Sequence, residues 1–272
     1  MKIAQYLDET GIHLGRVEDH RLFPMDFDGD MVSYLENGAG TLTCRIPVAL
    51  DGVTLAAPVT RPSKIIAVGL NYKDHVVENK VETPETPLLF AKFPTSVTGP
   101  GSPVQWSASV TRKVDYEAEL AVVIKKKIYN CPEDKALEAV FGYMCANDVS
   151  ARDLQFGDGQ WVRGKSLDTF CPLGPWIVTA DEIPDPQQLK ITCRLNGRLM
   201  QQGHTGSMIF KVSRLISFIS RHITLLAGDV ILTGTPSGVG AFRKPSIYMQ
   251  DGDEVTVEIE KIGRLTNICR VV

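Results

Sequence analysis

At 272 residues and 43% hydrophobic content, the chain is long enough for one large domain with a small appendage. Its net charge of −3, with acids and bases interspersed and no basic arm, argues against a nucleic-acid partner, and apolar runs such as LAVVI are too short to span a membrane. Six cysteines without C-x-x-C spacing, at 44, 131, 145, 171, 193 and 269, read as buried or free thiols; with no apolar core in MKIAQYLDET, a cytoplasmic protein is expected.

Residues 1–57 hold short alternating pieces, KIAQYL, HLGRVE and RLFPM, and predict a small β-rich N-terminal domain. APVTRPSK (57–64), with Pro58 and Pro62, is an extended connector into a second unit, 58–272. IIAVGL reads as a buried strand ending at Gly69. The charged, proline-broken stretch 73–87, KDHVVENKVETPETP, predicts a mobile loop with one helical turn, able to act as a lid.

KVDYEAELAVVIKKK (113–127) alternates acids with apolar residues. On one strand Asp115, Glu117 and Glu119 share a face, roughly 7 Å apart, and the even positions 114–124 form an apolar back. At that spacing neighbouring carboxylates repel by about 2 kcal/mol at an effective dielectric of 20, so a partly buried trio wants a counter-charge. Hard oxygen ligands suit Mg²⁺, Mn²⁺ or Ca²⁺; a solvated acidic face is the alternative. Asp148, in ANDVSARDLQ (146–155), follows the short strand GYMCA and offers a third oxygen, although an aspartate there also reads as a turn or helix cap.

NCPEDKALEAVFGY predicts a helix with Pro132 in its first turn, a stripe of Ala136, Leu137, Val140 and Phe141, and a stop at Gly142. QLKITCRLNGRLM is a hairpin turning at Asn196-Gly197. FKVSRLISFISRHI is an amphipathic helix through Val212, Leu215, Ile216 and Ile219, and GDVILTG and DEVTVEIEKIG return to strand patterning. GTPSGVG lacks the G-K-[ST] ending of a P-loop and reads as a tight turn. The sum is a strand-dominated α+β fold.

Five stretches in order, GLNYKDHVVE (69–78), DYEAELAVVI (115–124), ANDVSARDLQ, GKSLDTFCPLGP (164–175) and LTGTPSGVG (232–240), resemble the fumarylacetoacetate hydrolase superfamily. DTFCPLGP and ILTGTPSGVGAFRKP look most like its branch called fumarylacetoacetate hydrolase domain-containing protein 2. The resemblance, running from about residue 58 to the end, implies a mixed β-sandwich roll built as a homodimer, with 58–272 as the catalytic domain. It implies that Glu117, Glu119 and Asp148 hold Mg²⁺ or Mn²⁺, with Asp115 not a ligand. His75 and Glu78 match the catalytic pair of N-Y-x-x-H-x-x-E, Lys165 the active-site lysine of G-K-S, and Gln155 a group that stabilises a developing oxyanion. Arg152 and Thr235 fall where relatives position substrate or the metal's surroundings. Asn71 stands where the animal tyrosine-degrading enzyme carries an extra aspartate, which puts fumarylacetoacetate itself in doubt as the substrate.

A carboxylate on one ring nitrogen makes His75 a general base near neutral pH; taken alone, it also reads as a surface histidine. Lys165 taken alone reads as a snorkelling side chain in an ion pair. The constellation suits a small 2-oxo acid reacting through a metal-stabilised enolate, as a keto–enol tautomerase for oxaloacetate-like acids or a C–C hydrolase for acylpyruvates. A 2-hydroxyhepta-2,4-diene-1,7-dioate isomerase is a further alternative. From another class, a non-catalytic dimeric module that binds keto acid or metal would keep the three ligands and make His75, Glu78 and Lys165 incidental.

Overall fold

A computed structural model of the chain describes residues 1–37 and 46–272. Cys44 lies outside the described residues; Cys145, Cys171, Cys193 and Cys269 are buried free thiols and Cys131 is partly exposed. The first strands are β1 (Lys2–Asp8), β2 (Gly11–Glu18), β3 (Arg21–Pro24), β4 (Val48–Ala49) and β5 (Thr54–Ala56), with a helix α1 (Met31–Asn37) among them. Then come β6 (Ile65–Gly69), α2 (Lys73–Asn79), β7 (Leu88–Lys92), β8 (Val97–Thr98), β9 (Val104–Trp106), β10 (Val114–Asp115) and β11 (Ala118–Ile124). β12 (Val140–Asn147), β13 (Ser150–Ala151), α3 (Arg152–Gly157), α4 (Val162–Lys165) and β14 (Cys171–Thr179) follow. The chain ends with β15 (Lys190–Leu195), β16 (Arg198–His204), α5 (Val212–His222), β17 (Val230–Leu232), β18 (Glu254–Ile259) and β19 (Gly263–Val271).

A twelve-stranded mixed sheet runs β4-β3-β2-β1-β14-β12-β11-β17-β6-β7, with β5 on β1 and β8 on β14. A five-stranded sheet, β16-β15-β18-β19-β9, packs against it, and β10 pairs with β13. The expected β-dominated roll is therefore present. β1 joins the N-terminal strands to the large sheet through β14, Lys2 opposite Val178. Among the described residues no helix is long and apolar enough to cross a membrane.

β11 is the central strand and is buried on both faces. Leu120, Val122 and Ile124 join the core shared with the five-stranded sheet and α5, while Ala121 and Val123 face a second core with Ile65, Met144 and Met31. The expected single strand with one acidic face does not form. Pairing breaks at Tyr116–Glu117, and Asp115 turns instead toward Arg152 and the backbone amides of Gly240 and Ala241.

The helix expected from Pro132 to Phe141 is a 3₁₀ segment, Glu133–Ala139, and the chain extends at Val140. Ala136 and Ala139 are buried, but Leu137 is not, because Val140, Phe141 and Tyr143 belong to β12, where β-branched and aromatic side chains gain cross-strand partners. Gly142 does not stop a helix; it sits within β12 against β14, where a Cβ would press on the carbonyl of Val178. α1 was not expected from the sequence, yet it has a start signal: Asp30 accepts from the amide of Ser33 at 2.9 Å. In the stretch 73–87, residues 73–79 form the helix α2. The hairpin turn is as expected, with Asn196 and Gly197 both at positive φ, 52° and 75°.

Replacing Gly142 with alanine overpacks the β12–β14 contact. Gly142→Ala is expected to cost about 1–3 kcal/mol or more, read from the urea midpoint of the purified variant.

Candidate metal centre

Register brings the carboxylates together. Ala118 lies opposite Asn147 and Glu119 opposite Ala146, so the residue after β12 emerges beside Glu117. Two backbone contacts fix it: the amide of Asp148 donates to the Glu117 carbonyl at 2.9 Å, and the amide of Glu117 donates to Asn147 Oδ1 at 2.9 Å. Glu117, Glu119 and Asp148 each bring an oxygen within 4.8 Å of the others, and all three are buried. The expected trio thus converges.

Three cations surround it. Lys165 Nζ lies 2.7 Å from Glu117 Oε2 and 2.6 Å from Asp148 Oδ2. Arg152 donates from Nε to Asp115 at 2.9 Å and pairs through Nη1 with Glu117 at 2.7 Å. Lys92, which the sequence reading did not identify, lies 2.7 Å from Asp148 Oδ1, an ion pair off the line of a hydrogen bond. Its ammonium also donates to the Lys165 and Val149 carbonyls. The signal for Lys92 was its position in an apolar run, LLFAKF, at the end of β7, whose only buried residue it is.

Four buried carboxylates therefore face three cations. Burial works against ionising Glu117, but Lys165 and Arg152 outweigh it and hold that carboxyl well below the usual range. Glu119 has no cationic partner among the described residues and accepts only the amide of Gly234 at 2.7 Å. Burial first, then the neighbouring Asp148 and Glu117, push its carboxyl well above 4.5. A buried all-oxygen trio with one uncompensated charge fits a divalent cation.

An enclosed cavity of about 140 Å³ opens on this cluster. His75 and Asn79 enter it from α2, Arg152 and Gln155 from α3, Lys165 from α4 and Thr235 from the turn after β17. Glu78 lies just outside and holds His75 Nδ1 at 2.9 Å through Oε2. The ring's Nδ1–H therefore faces the carboxylate, and Nε2 accepts from Asn79 Nδ2 at 3.1 Å. Asn79 was also missed in the sequence; its i+4 position relative to His75 was the signal. Gln155 Oε1 accepts from Arg152 Nη1 at 2.9 Å, which leaves the amide nitrogen of Gln155 free to donate elsewhere. Arg152 Nη2 is buried without a partner. The Thr235 hydroxyl donates to the Ala118 carbonyl and accepts from Gln201, so it braces the centre.

Phe90, Phe156, Trp161 and Phe242 wall the cavity and were not identified from sequence. Gly69 permits this: a Cβ there would meet the Trp161 ring at 2.5 Å. Asn71 is spent on the backbone, donating to the Phe210 and Thr233 carbonyls and accepting from the Phe210 amide.

Residues 64–272 match the family model for the fumarylacetoacetate (FAA) hydrolase C-terminal region. A rat relative named oxaloacetate tautomerase Fahd2a, mitochondrial, is 45% identical over 97% of this chain and 88% of its own length. The fumarylacetoacetate hydrolase of Exiguobacterium antarcticum superposes with a TM-score of 0.92 at 39% identity, covering 100% of both chains. A 2-hydroxyhepta-2,4-diene-1,7-dioate isomerase of Mycobacterium marinum gives 0.85 at 35% identity, over 100% of this chain and 98% of that one. A maleylpyruvate hydrolase of Sphingobium, solved with manganese(II) and pyruvate, gives 0.82 at 30% identity, over 100% and 99%.

The rat, cattle and human relatives are named mitochondrial, which overturns the expected cytoplasmic location. Net charge and cysteine usage describe a chemical environment, whereas an organelle address is read by receptors and leaves no mark on a folded core. Matched over more than three quarters of its length by the family model and superposing on enzymes of the same fold, the chain belongs to the fumarylacetoacetate hydrolase family of enzymes.

Proposed function

We propose that this enzyme interconverts the keto and enol forms of a small 2-oxo diacid of the oxaloacetate class, with Mg²⁺ or Mn²⁺ held by Glu117, Glu119 and Asp148. The observation that carries this reading is one cavity lined both by a carboxylate-held histidine and by Glu117 and Glu119, with Asp148 buried within 4.8 Å of those two. The 45% identity to a relative named oxaloacetate tautomerase supports the substrate class.

A bound divalent cation supplies polarisation of the 2-oxo group. Glu78 keeps the proton on His75 Nδ1, which leaves Nε2 as the basic nitrogen; its lone pair, which accepts from Asn79 Nδ2 in this structure, exchanges that bond for the C3 proton of the substrate. As the C3 proton moves to Nε2, its electron pair enters the C2–C3 bond and negative charge develops on the 2-oxo oxygen. The free Gln155 amide donates to that oxygen. Arg152 Nη2, buried and unpartnered, suits a substrate carboxylate. His75 Nε2–H then gives that proton to the 2-oxo oxygen, which completes the enol; the same two transfers run backward, from the enol O–H to Nε2 and on to C3, return the keto form.

Cavity size favours a short substrate. About 140 Å³ is the share of roughly five waters, and well under the ~300–1,000 Å³ of sites for drug-sized ligands. Hydrolysis of a short acylpyruvate is the second reading, since one relative was solved with pyruvate bound. We also propose a homodimer, supported by Phe93 and Val110, both exposed and lining one open groove; a sedimentation mass of one chain would refute it.

Glu117→Ala and Asp148→Ala are expected to lose Mn²⁺ in equilibrium dialysis, while His75→Ala keeps it and loses about 10²–10⁴ in rate. Activity on oxaloacetate, followed by enol absorbance, is expected to exceed that on a seven-carbon 2-hydroxy-dienedioate by at least about tenfold in kcat/KM.

Metal removal has a signed pH dependence. Because the Glu119 carboxyl is harder to ionise in the fold than in the unfolded chain, metal-free protein loses stability as pH rises above 4.5. Glu117, held low, is ionised in both states across that range, and Lys165, held high, adds slope only above 10.5. The gain in Tm on adding Mn²⁺ is thus expected to be larger near pH ~8 than near pH ~5 by differential scanning fluorimetry.

A further inference from the structure

α2 carries the proposed base, yet at seven residues it is too short to hold its place by helical propensity. Its contacts with the rest of the molecule decide where His75 sits. Two of its acids reach the same segment. Asp74 Oδ2 accepts from the Ser237 amide at 3.1 Å and the Ser237 hydroxyl at 2.8 Å. Glu78 Oε1 accepts from the Gly238 amide at 2.9 Å while its other oxygen holds His75.

That segment, residues 233–241, also grips the acidic cluster. The Gly234 amide donates to Glu119, and the Gly240 and Ala241 amides donate to the two oxygens of Asp115 at 2.8 and 2.9 Å. Asp115 in turn holds Arg152. The segment has little freedom of its own. Gly234 and Gly238 sit at φ of +96° and +103°, and a Cβ on Gly238 would press on the Met200 carbonyl.

We propose that Asp74 is a positioning residue: by binding Ser237 it sets the distance of His75 from the Glu117–Glu119–Asp148 centre, through a segment that contacts both. Asp74 does not line the cavity and so acts on the reaction only through α2. Asn71 and Tyr72 anchor the chain just before α2, and Glu78 ties its C-terminal turn to Gly238. The Asp74–Ser237 bonds are the tie made from within the first turn of the helix to the segment that grips the acidic cluster, and they fix how that turn is set against it. A side chain that merely stabilised the fold would affect metal binding and turnover together; a positioning residue separates them.

The inference rests on His75 being the base, and its test also reads geometry without turnover. Asp74→Ala is expected to lower kcat about 10- to 100-fold with KM and Mn²⁺ affinity within about twofold of wild type. Amide hydrogen exchange should quicken across 73–79 and stay unchanged in β11 and β12. Paramagnetic broadening of the His75 ring protons by bound Mn²⁺ should change relative to wild type. Asp74→Asn keeps an oxygen for the Ser237 donors and is expected to restore most of kcat and the exchange protection. Ser237→Ala, which removes one of the two bonds and spares the helix sequence, is expected to fall between, and carries the test where Asp74→Ala does not fold.

Unchanged exchange in α2, equal loss of Mn²⁺ affinity and kcat, or an asparagine variant as impaired as alanine would each overturn the assignment. Should wild type lack tautomerase activity, the proposed function fails; the exchange and broadening data still decide whether Asp74 places His75.

Discussion

The constraint on which everything else depends is electrostatic. Three carboxylate oxygens lie within 4.8 Å of one another in a buried site. At an effective dielectric of 20, each such pair repels by about 3–4 kcal/mol. The three pairs together reach the order of a whole domain's stability, about 5–15 kcal/mol. No fold tolerates that without counter-charge. Lys92, Lys165 and Arg152 supply it for Asp148, Glu117 and Asp115, and the remainder falls on Glu119. Glu119 is therefore the carboxylate that most needs an external cation.

The fold delivers these charges through backbone geometry. An antiparallel register sets Asn147 opposite Ala118 and so brings Asp148 to Glu117. β11 is buried on both faces, which removes the water that would otherwise screen the acids. One turn after β17 then links the parts: Thr233 and Thr235 bond the Leu120 and Ala118 carbonyls, and the amides beyond them hold Glu119, Asp115 and α2. The helix that carries His75 and the acidic cluster thus hydrogen-bond to one piece of backbone, which sets their relative position.

How much of this was legible in the sequence follows from what each signal depends on. The strands β1, β2 and β15, the Asn196-Gly197 turn and the apolar stripe of α5 rest on local signals, and they formed as read, although burial alternates only in β15. The segment from Glu133 to Phe141 carried a helical pattern but lost its last residues to β12, because pairing with β11 and β14 outweighs propensity. α1 has a cap and two buried side chains, too little periodicity to stand out. In the site, the acids at 117 and 119 were legible because charge in an apolar context is conspicuous, whereas Asp148, which alone reads as a cap, and His75–Glu78, which alone read as part of a charged loop, were legible only through the resemblance of their motifs. Lys92, Asn79 and the aromatic walls were not, because their roles depend on contacts across the fold: Lys92 meets Asp148 from 56 positions away in sequence. Asp115 shows the converse, an acid in the right pattern that a break in the strand sends elsewhere.

A last question is why the cluster stops one cation short. A fourth buried lysine near Glu119 would balance the charge, and its three N–H groups would be consumed by carboxylates, as those of Lys165 largely are. Such a site would be neutral and closed. A divalent ion cancels that charge with one positive charge to spare and, with only three protein oxygens to bind, keeps coordination positions open for a chelating acid. The deficit at Glu119 costs stability in the metal-free protein and confers reactivity in the loaded one. Glu119 lines the same cavity as His75 and Arg152. Local frustration of this kind, relieved only by the ion, separates a catalytic centre from a salt-bridge network made of the same residue types.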